Sequence, residues 1–414
     1  MDLLRYASHC STRRFFFCLH SSSPTPLRRR FFTVRSSVPF PNEKAKYHRE
    51  LEAAVDVVER ACRICIDVKK SLLSSEGGIL EKSDQTPVTV ADFGVQALVS
   101  LELNKLFPSI PLVAEEDSAF LRSNDLVGSV VSTVADKASF GDNPLTEADV
   151  LDAIDRGGKD AVAFGAETAA YWVLDPIDGT RGFLKGSEAL YVVGLALVVQ
   201  GEIVLGVMGC PNWKEDKSYK STAEVQGNKN IPSQSGVIMI AHVGCGTWTK
   251  RLPEMLGTSA KTSDCWTRCF VDSCQLVQEA YFCIPESQTW NSLPLSALFN
   301  ATTDADNIGD KEILLLCKCC GSLCKYMMVA SGRASVFILR TRAQKLIKAW
   351  DHAVGMICVH EAGGKVTDWK GSKLDLSADQ VQRRIIFPSG GVLVSNGNIH
   401  NRILEMIAAT SSII

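Results

Sequence analysis

The chain has 414 residues, 46% hydrophobic and 22% charged, with 44 basic against 46 acidic side chains and a net charge of −2. That balance excludes a disordered protein and allows one large or two medium hydrophobic cores. The charge is unevenly spread: residues 1–40 hold seven arginines and one acid, Asp2, so the remainder carries 37 − 45 = −8, which speaks against a nucleic-acid polymer as partner.

The arginine- and serine-rich leader, residues 1–46, has the bias of an organellar transit peptide, with mitochondrial import expected and the chloroplast as the alternative. Arginine pairs interrupt its apolar runs, so a secretory signal fits worse, and no later segment approaches the roughly 18 to 20 apolar residues of a membrane span. Fifteen cysteines without a secretory signature point to a reducing compartment and free thiols. Cys62 and Cys65 fall in a helical apolar pattern, and Cys317, Cys319, Cys320 and Cys324 lack paired knuckles, so both groups read as small hydrophobes rather than zinc ligands.

From Tyr47 to about Leu73, apolar residues at helical spacing predict a long amphipathic helix, and a second spans Asp92 to Leu106. EKSDQTPVTVAD between them reads as a loop or hairpin. Ile110–Ala114 is a short strand running into Glu115-Glu116-Asp117, and residues 118–165 form a mixed helical stretch. Strands follow at Tyr171–Leu174, Tyr191–Gln200 and Ile203–Met208, the last two joined at Gly201-Glu202. Residues 214–235 are polar and turn-rich, a surface excursion or the seam between two units. Beyond them, strands near Val237–His242, Cys269–Val271, Ser335–Leu339, Lys365–Thr367 and Val392–Ser395 alternate with helices at 273–280, 322–331, 351–362 and 398–408. The expected organisation is an α+β unit over 47–213 and an α/β unit over 236–414.

The stretch WVLDPIDGT at 172–180 carries the chemistry. Asp175 emerges at the carboxyl end of a buried strand, Pro176 stiffens the turn that follows, and Asp178 can face back towards Asp175. Two carboxylates held together repel unless a proton or cation lies between them, and oxygen-only ligands select a hard ion such as Mg²⁺. Gly179 lets backbone approach a ligand closely, and Thr180 with the following amides can accept an anion. An ordinary Asx turn would also fit this stretch taken alone. Glu115 and Glu116 end another short strand, and Asp351 and Asp92 each stand at the start of a helix, where capping alone would explain them.

Taken in order, TPVTVAD, VAEEDS, WVLDPIDGT and WDHAVGMICVHEAGG resemble the lithium-sensitive, Mg²⁺-dependent phosphatase superfamily of inositol monophosphatase, inositol polyphosphate 1-phosphatase, fructose-1,6-bisphosphatase and the 3′(2′),5′-bisphosphate nucleotidases. The resemblance covers about residue 47 to the C-terminus. GTRGFLKG and GVMGCPN are similar to the nucleotidase branch, and the basic leader to an organellar plant member. It implies an α/β fold layered α-β-α-β-α and two or three Mg²⁺. Glu115, Asp175 and the Ile177 carbonyl would bind one ion, and Asp175, Asp178 and Asp351 a second. Asp92 and Thr180 would activate water, and the Gly179 and Thr180 amides would hold phosphate. Lys325 and Arg340 stand in the context of substrate contacts. The implied reaction removes the 3′-phosphate of adenosine 3′,5′-bisphosphate, and lithium inhibition is expected. An inositol phosphate phosphatase and a nucleotide-binding sensor without turnover are the alternatives. AHVGCGTWTKRL does not match the histidine-serine context of adenine binding in the nucleotidases, and VAEEDS has alanine where glycine is usual.

Overall fold

The elements begin and end where the apolar period changes between helical and strand spacing. The computed structural model describes residues 38–74, 80–81, 87–138, 144–161, 163–164, 170–184, 189–214, 236–252, 265–285, 287–289, 292–295, 314–316, 321–341 and 346–411. In chain order, α1 (His48–Ser74) precedes the hairpin β1 (Leu80–Glu81) and β2 (Pro87–Val88), then α2 (Val90–Leu106) and β3 (Leu112–Ala114). Helices α3 (Ala119–Ser123), α4 (Val127–Ala135) and α5 (Glu147–Gly157) lead to β4 (Tyr171–Asp178), the one-turn α6 (Thr180–Leu184), β5 (Val192–Val199) and β6 (Glu202–Cys210). After the polar excursion come β7 (Val237–His242), β8 (Gly246–Arg251), β9 (Thr267–Cys269), β10 (Tyr281–Cys283) and β11 (Leu314–Leu316). The chain closes with α7 (Ser322–Ala330), β12 (Val336–Arg340), β13 (Ile347–Lys348), α8 (Ala353–Glu361), β14 (Gly364–Asp368), β15 (Ile385–Ile386), β16 (Gly391–Asn396) and α9 (His400–Ser411).

Strands β3 to β9 form one seven-stranded sheet in sequence order, with β3 and β4 parallel and the other neighbours antiparallel. A five-stranded sheet takes the order β11-β10-β12-β16-β14. Side chains of β5 alternate: Val193, Leu195 and Leu197 join the core under α1 and α2, while Val192, Ala196 and Val198 join the core formed with α7 and α8. The second sheet repeats the pattern. Phe337, Val392 and Val394 face α7 and α8, and Val336, Ile338 and Leu393 face Ile399 and, on α9, Ile403 and Ile407. Period-two alternation on strands buried on both faces therefore produces the α-β-α-β-α layering.

Several boundaries differ from the sequence reading. Helix α2 starts at Val90, because Thr89 is the N-cap and Asp92 the N3 partner of a capping box. Residues 273–280 make only a 3₁₀ turn at Val277–Glu279, since tertiary bonds hold the preceding backbone extended: the Val271 amide donates to the Ala362 carbonyl and Asn396 Nδ2 to the Cys274 carbonyl. The same tie ends β9 at Cys269. The β5–β6 turn sits on Gln200 and Gly201, with φ of 53° and 77°, one residue earlier than expected, as a two-residue hairpin with two left-handed positions requires. Strands β8, β10, β11, β13 and β15 are additional, being short or, in GTWTKR of β8, half polar. Strand β6 pairs with β7 from Leu205↔His242 to Cys210↔Val237, on either side of the polar stretch at 214–235. Residues 1–37 of the leader, residues 215–235 and Cys317, Cys319 and Cys320 lie outside the described residues, whereas Val38, Phe40 and Ala45 at the end of the leader are buried in the core under α1 and α2. Cys62, Cys65 and Cys324 are buried free thiols, and no described helix is long and apolar enough to cross a membrane.

One buried polar network makes stability depend on pH. His400 is 1% exposed, with Nδ1 against Ser395 Oγ at 2.8 Å and Nε2 against Thr367 Oγ1 at 2.9 Å. Burial, helped by the Lys365 charge, pushes its pKa down to about 4. A lowered histidine favours folding fully above its unfolded pKa, and the benefit is lost as pH falls from about 6.5 towards 4. The stability difference between wild type and His400→Gln, read from denaturant melts, is therefore expected to be largest near pH 7 and to shrink by up to about 3 kcal/mol towards pH 4.

Candidate metal and phosphate site

A β-bulge builds the site. In β4, Asp175 pairs with Gly194 and Asp178 with Val192, so Pro176 and Ile177 together oppose a single residue of β5. In a regular strand, residues three apart point to opposite faces; the extra residue restores parity and turns both carboxylates to the α7–α8 side. Proline is at home there because a bulge asks for no ladder amide. The strand thus runs through Asp178, beyond the expected end at Leu174. Parallel pairing of Ala114 with Leu174 brings Glu115 to the same edge of the sheet as Asp175. Asp351 arrives from the turn before α8, whose N-cap is His352, so capping does not account for Asp351.

One carboxylate oxygen from each of Asp175, Asp178 and Asp351 lies within 4.8 Å of the other two. Asp175 is 1% exposed and neither of its oxygens has a hydrogen-bond partner among the described residues. Its pKa is driven well above the usual carboxylate range, first by burial and then by Glu115, Asp178, Asp351 and Asp92. An orphaned buried carboxylate among four other acids is unstable unless a cation or proton joins it, and the all-oxygen donor set fits Mg²⁺. Asp175, Asp178 and Asp351 are placed to hold such an ion between them, with Glu115 beside them on the neighbouring strand end.

Asp178 has a second task. Its Oδ1 accepts the Ser322 amide at 3.1 Å and its Oδ2 the Leu323 amide at 2.5 Å, so it caps α7 from a strand 144 residues earlier in the chain. Burial raises its pKa to about 6, against the Leu323 amide, the Lys325 charge and the Ser322 amide, which favour ionisation. Close packing makes residue 321 a glycine: an added Cβ would lie 1.8 Å from Asp178 Oδ1. Gly179 has φ +90° and a backbone that approaches the Gly321 amide, so two glycines face each other where the β4 and α7 segments meet. These α7 contacts were missed in the sequence; Gly-Ser before an apolar helix marks a helix start, but not which distant carboxylate caps it.

Asp92 is 2% exposed and divides its oxygens. Oδ2 accepts the Thr89 amide and hydroxyl at 2.8 and 2.7 Å, and Oδ1 faces Thr180 Oγ1 at 3.4 Å. The Thr180 hydroxyl also reaches the Ile177 carbonyl at 3.1 Å, which the bulge leaves available. Lys325 is 2% exposed rather than a surface cation: Nζ donates to the Gly321 carbonyl at 2.9 Å, and its charge acts on Asp178. Arg340 is exposed at the end of β12, where Nη1 donates to the Ser292 carbonyl at 2.9 Å. The structure thus gathers Asp92, Glu115, Asp175, Ile177, Asp178, Gly179, Thr180, Lys325 and Asp351, while the Arg340 side chain bonds to Ser292. Tyr326 Oη and His352 Nδ1, 2.9 Å apart and both buried, form a further pair beside Asp351.

The inositol monophosphatase family pattern matches residues 46–413. A protein of Arabidopsis thaliana named a 3′(2′),5′-bisphosphate nucleotidase, mitochondrial, is 66% identical over 388 residues, covering 94% of each chain. The 3′(2′),5′-bisphosphate nucleotidase of Oryza sativa is 33% identical over 371 residues, covering 87% of this chain and 94% of its own. Among solved structures, an inositol monophosphatase of Thermotoga maritima matches with a TM-score of 0.52 and 19% identity over 88% of this chain and 98% of its own, a likeness of fold.

Because an ion displaces protons from raised carboxyl groups, Mg²⁺ is expected to raise the melting temperature more as pH rises from about 4 to 7, spanning the Asp178 pKa of about 6. Asp175→Asn, whose amide can donate to the neighbouring carboxylates, should stabilise the metal-free protein at pH 7 by about 1–3 kcal/mol and abolish the Mg²⁺-induced rise. A variant still stabilised by Mg²⁺ would contradict the assignment.

Proposed function

The chain belongs to the inositol monophosphatase family, and on that premise we propose that it is a Mg²⁺-dependent phosphomonoesterase that removes the 3′-phosphate of adenosine 3′,5′-bisphosphate, releasing AMP and phosphate. The observation that carries the metal chemistry is Asp175, buried with both oxygens unpartnered beside Asp178 and Asp351. The substrate rests on the nucleotidases that this chain resembles along most of its length, and on GTRGFLKG and GVMGCPN. The 5′-phosphosulfate form carries the same 3′-phosphate and is the second substrate on this reading.

Glu115, Asp175 and the Ile177 carbonyl would hold one Mg²⁺, and Asp175, Asp178 and Asp351 another, with Asp92 near the place of a third. When bound, the ions supply charge neutralisation on the phosphate oxygens and a lowered pKa for the attacking water. The protein's own groups do the rest. Thr180 Oγ1 lies 3.4 Å from Asp92 Oδ1, so as it takes a proton from the water it would pass its own hydroxyl proton to that carboxylate. Asp92 in turn is fixed by the capping box at the start of α2, so the acceptor is rigid. The amides of Gly179 and Thr180, in the turn after the bulge, would hold the phosphate. Lys325 places positive charge at the α7 side of the site, and Arg340, with donors beyond the one at Ser292, is the candidate contact for the second phosphate. Lithium occupying an ion position would inhibit.

Phosphate release by the full chain with Mg²⁺, with and without lithium, is expected to favour adenosine 3′,5′-bisphosphate over inositol 1-phosphate, inositol 1,4-bisphosphate and fructose 1,6-bisphosphate. Preference for an inositol phosphate would overturn the substrate and keep the metal site; nucleotide binding with no Mg²⁺-dependent release would make the protein a sensor. Asp178→Asn should lower turnover on the order of a hundredfold or more, since a neutral amide is a poor ligand for the second ion. The leader's arginines and the mitochondrial designation of the Arabidopsis relative support import into mitochondria. Residues 1–46 fused to a fluorescent protein are expected to send it there; plastid or cytosolic fluorescence would count against the assignment.

A further inference from the structure

The two carboxylate-bearing segments that meet at the metal site, residues 115–117 after β3 and residues 349–351 before α8, belong to distant parts of the chain. One side chain touches the supports of both. Arg384 precedes β15, whose Ile385 and Ile386 pair with Lys348 and Ile347 of β13. Its carbonyl accepts the Ala349 amide at 2.8 Å, and Ala349 in turn supplies the carbonyl to which the His352 and Ala353 amides donate, closing the turn that carries Asp351. The Arg384 guanidinium lies over the Trp350 ring, 5.7 Å from its centroid.

From that position the guanidinium reaches the other half of the site. Its Nη2 donates to the Gly157 carbonyl at 3.0 Å and to the Gly158 carbonyl, at the C-terminal end of α5, where a cation is favoured by the helix dipole. Gly158 is packed hard against the acidic segment: a Cβ there would lie 2.2 Å from the Glu116 carbonyl oxygen. Asp117 and Asp379 both attract the Arg384 charge, and Asp379 Oδ2 accepts its backbone amide at 2.9 Å. The planar fork suits this double duty, since it can stack on an indole by its face while donating along its edge; an ammonium cannot do both.

We propose that Arg384 is a positioning residue for Mg²⁺ binding, a strut that sets the separation of the Glu115 segment from the Asp351 turn and so the span of the carboxylate cluster. This rests on the metal-site reading above. Arg384 touches neither phosphate nor ion, and its effect passes through Trp350 on one side and Gly157–Gly158 on the other.

The test compares the full-length wild-type chain with Arg384→Met, Arg384→Lys and, as control, Arg402→Met, which removes an exposed arginine paired with Glu405 on α9. Two Mg²⁺ titrations are read: the midpoint of the rise in melting temperature without substrate, and the half-saturation of phosphate release from adenosine 3′,5′-bisphosphate. Arg384→Met is expected to raise both by about tenfold or more, with turnover at saturating Mg²⁺ kept within a few fold, as for loss of a group that orients ligands. Arg384→Lys should fall between Met and wild type, and Arg402→Met should match wild type. If Arg384→Met does not fold, Arg384→Lys decides: a raised midpoint supports the strut and an unchanged one overturns it. Wild-type midpoints in both Arg384 variants, with only a lower melting temperature, would show a merely structural arginine. Failure of the wild type itself to respond to Mg²⁺ would instead refute the metal-site reading.

Discussion

Like charges brought together in a dry place are the constraint around which this molecule is arranged. Asp175 sits in the seven-stranded sheet with no hydrogen-bond donor among the described residues, close to Glu115, Asp178, Asp351 and Asp92. Desolvation alone costs several kcal/mol for an uncompensated carboxylate, and neighbouring acids add to it. The surrounding scaffold must therefore be stiff enough to hold the cluster together against its own repulsion. Two buried cores, one on each face of the seven-stranded sheet, supply that stiffness.

Partial compensation comes from within. Asp178 takes two amides of α7 and feels Lys325, so it remains nearer to ionised than Asp175, whose oxygens are left for a ligand. The two aspartates of one short motif thus have different work. One anchors the sheet to the central helix layer, and the other is reserved for the cation. Glycines at 179 and 321 allow that contact, because side chains there would collide with backbone or with the carboxylate.

Much of this was legible in the chain. The strand ending in Asp-Pro-Ile-Asp, the acidic end of VAEEDS and the Trp-Asp-His turn each announce themselves locally, and the resemblance orders them into one site. The bulge was not legible: Pro176 reads equally as the start of a turn, and only pairing with β5 shows that Ile177 is the extra residue. Asp92 and Asp351 looked like simple helix caps, yet the capping hydroxyl belongs to Thr89 and the Asp351 turn is closed by Ala349, both decided by tertiary packing. Short strand β10, held between β11 and β12, and the extended run before Val277, tied to the end of α8 and to β16, escaped because their partners are remote in sequence. Arg384 carried no signal at all, since its partners come from α5 and the β13 turn.

The acids of the cluster are contributed by widely separated stretches: the start of α2, the ends of β3 and β4, and the turn before α8. No fragment lacking the last third of the chain contains the whole set, and the large sheet itself closes only after the excursion past residue 214 has been spanned. Contacts of such sequence separation form late and slowly. A chain entering a compartment N-terminus first would thus fold without confronting its densest negative charge until Asp351 arrives, and a divalent ion would find its full ligand set only on finished molecules. The ion then becomes a thermodynamic check on completed folding as well as a participant in the chemistry.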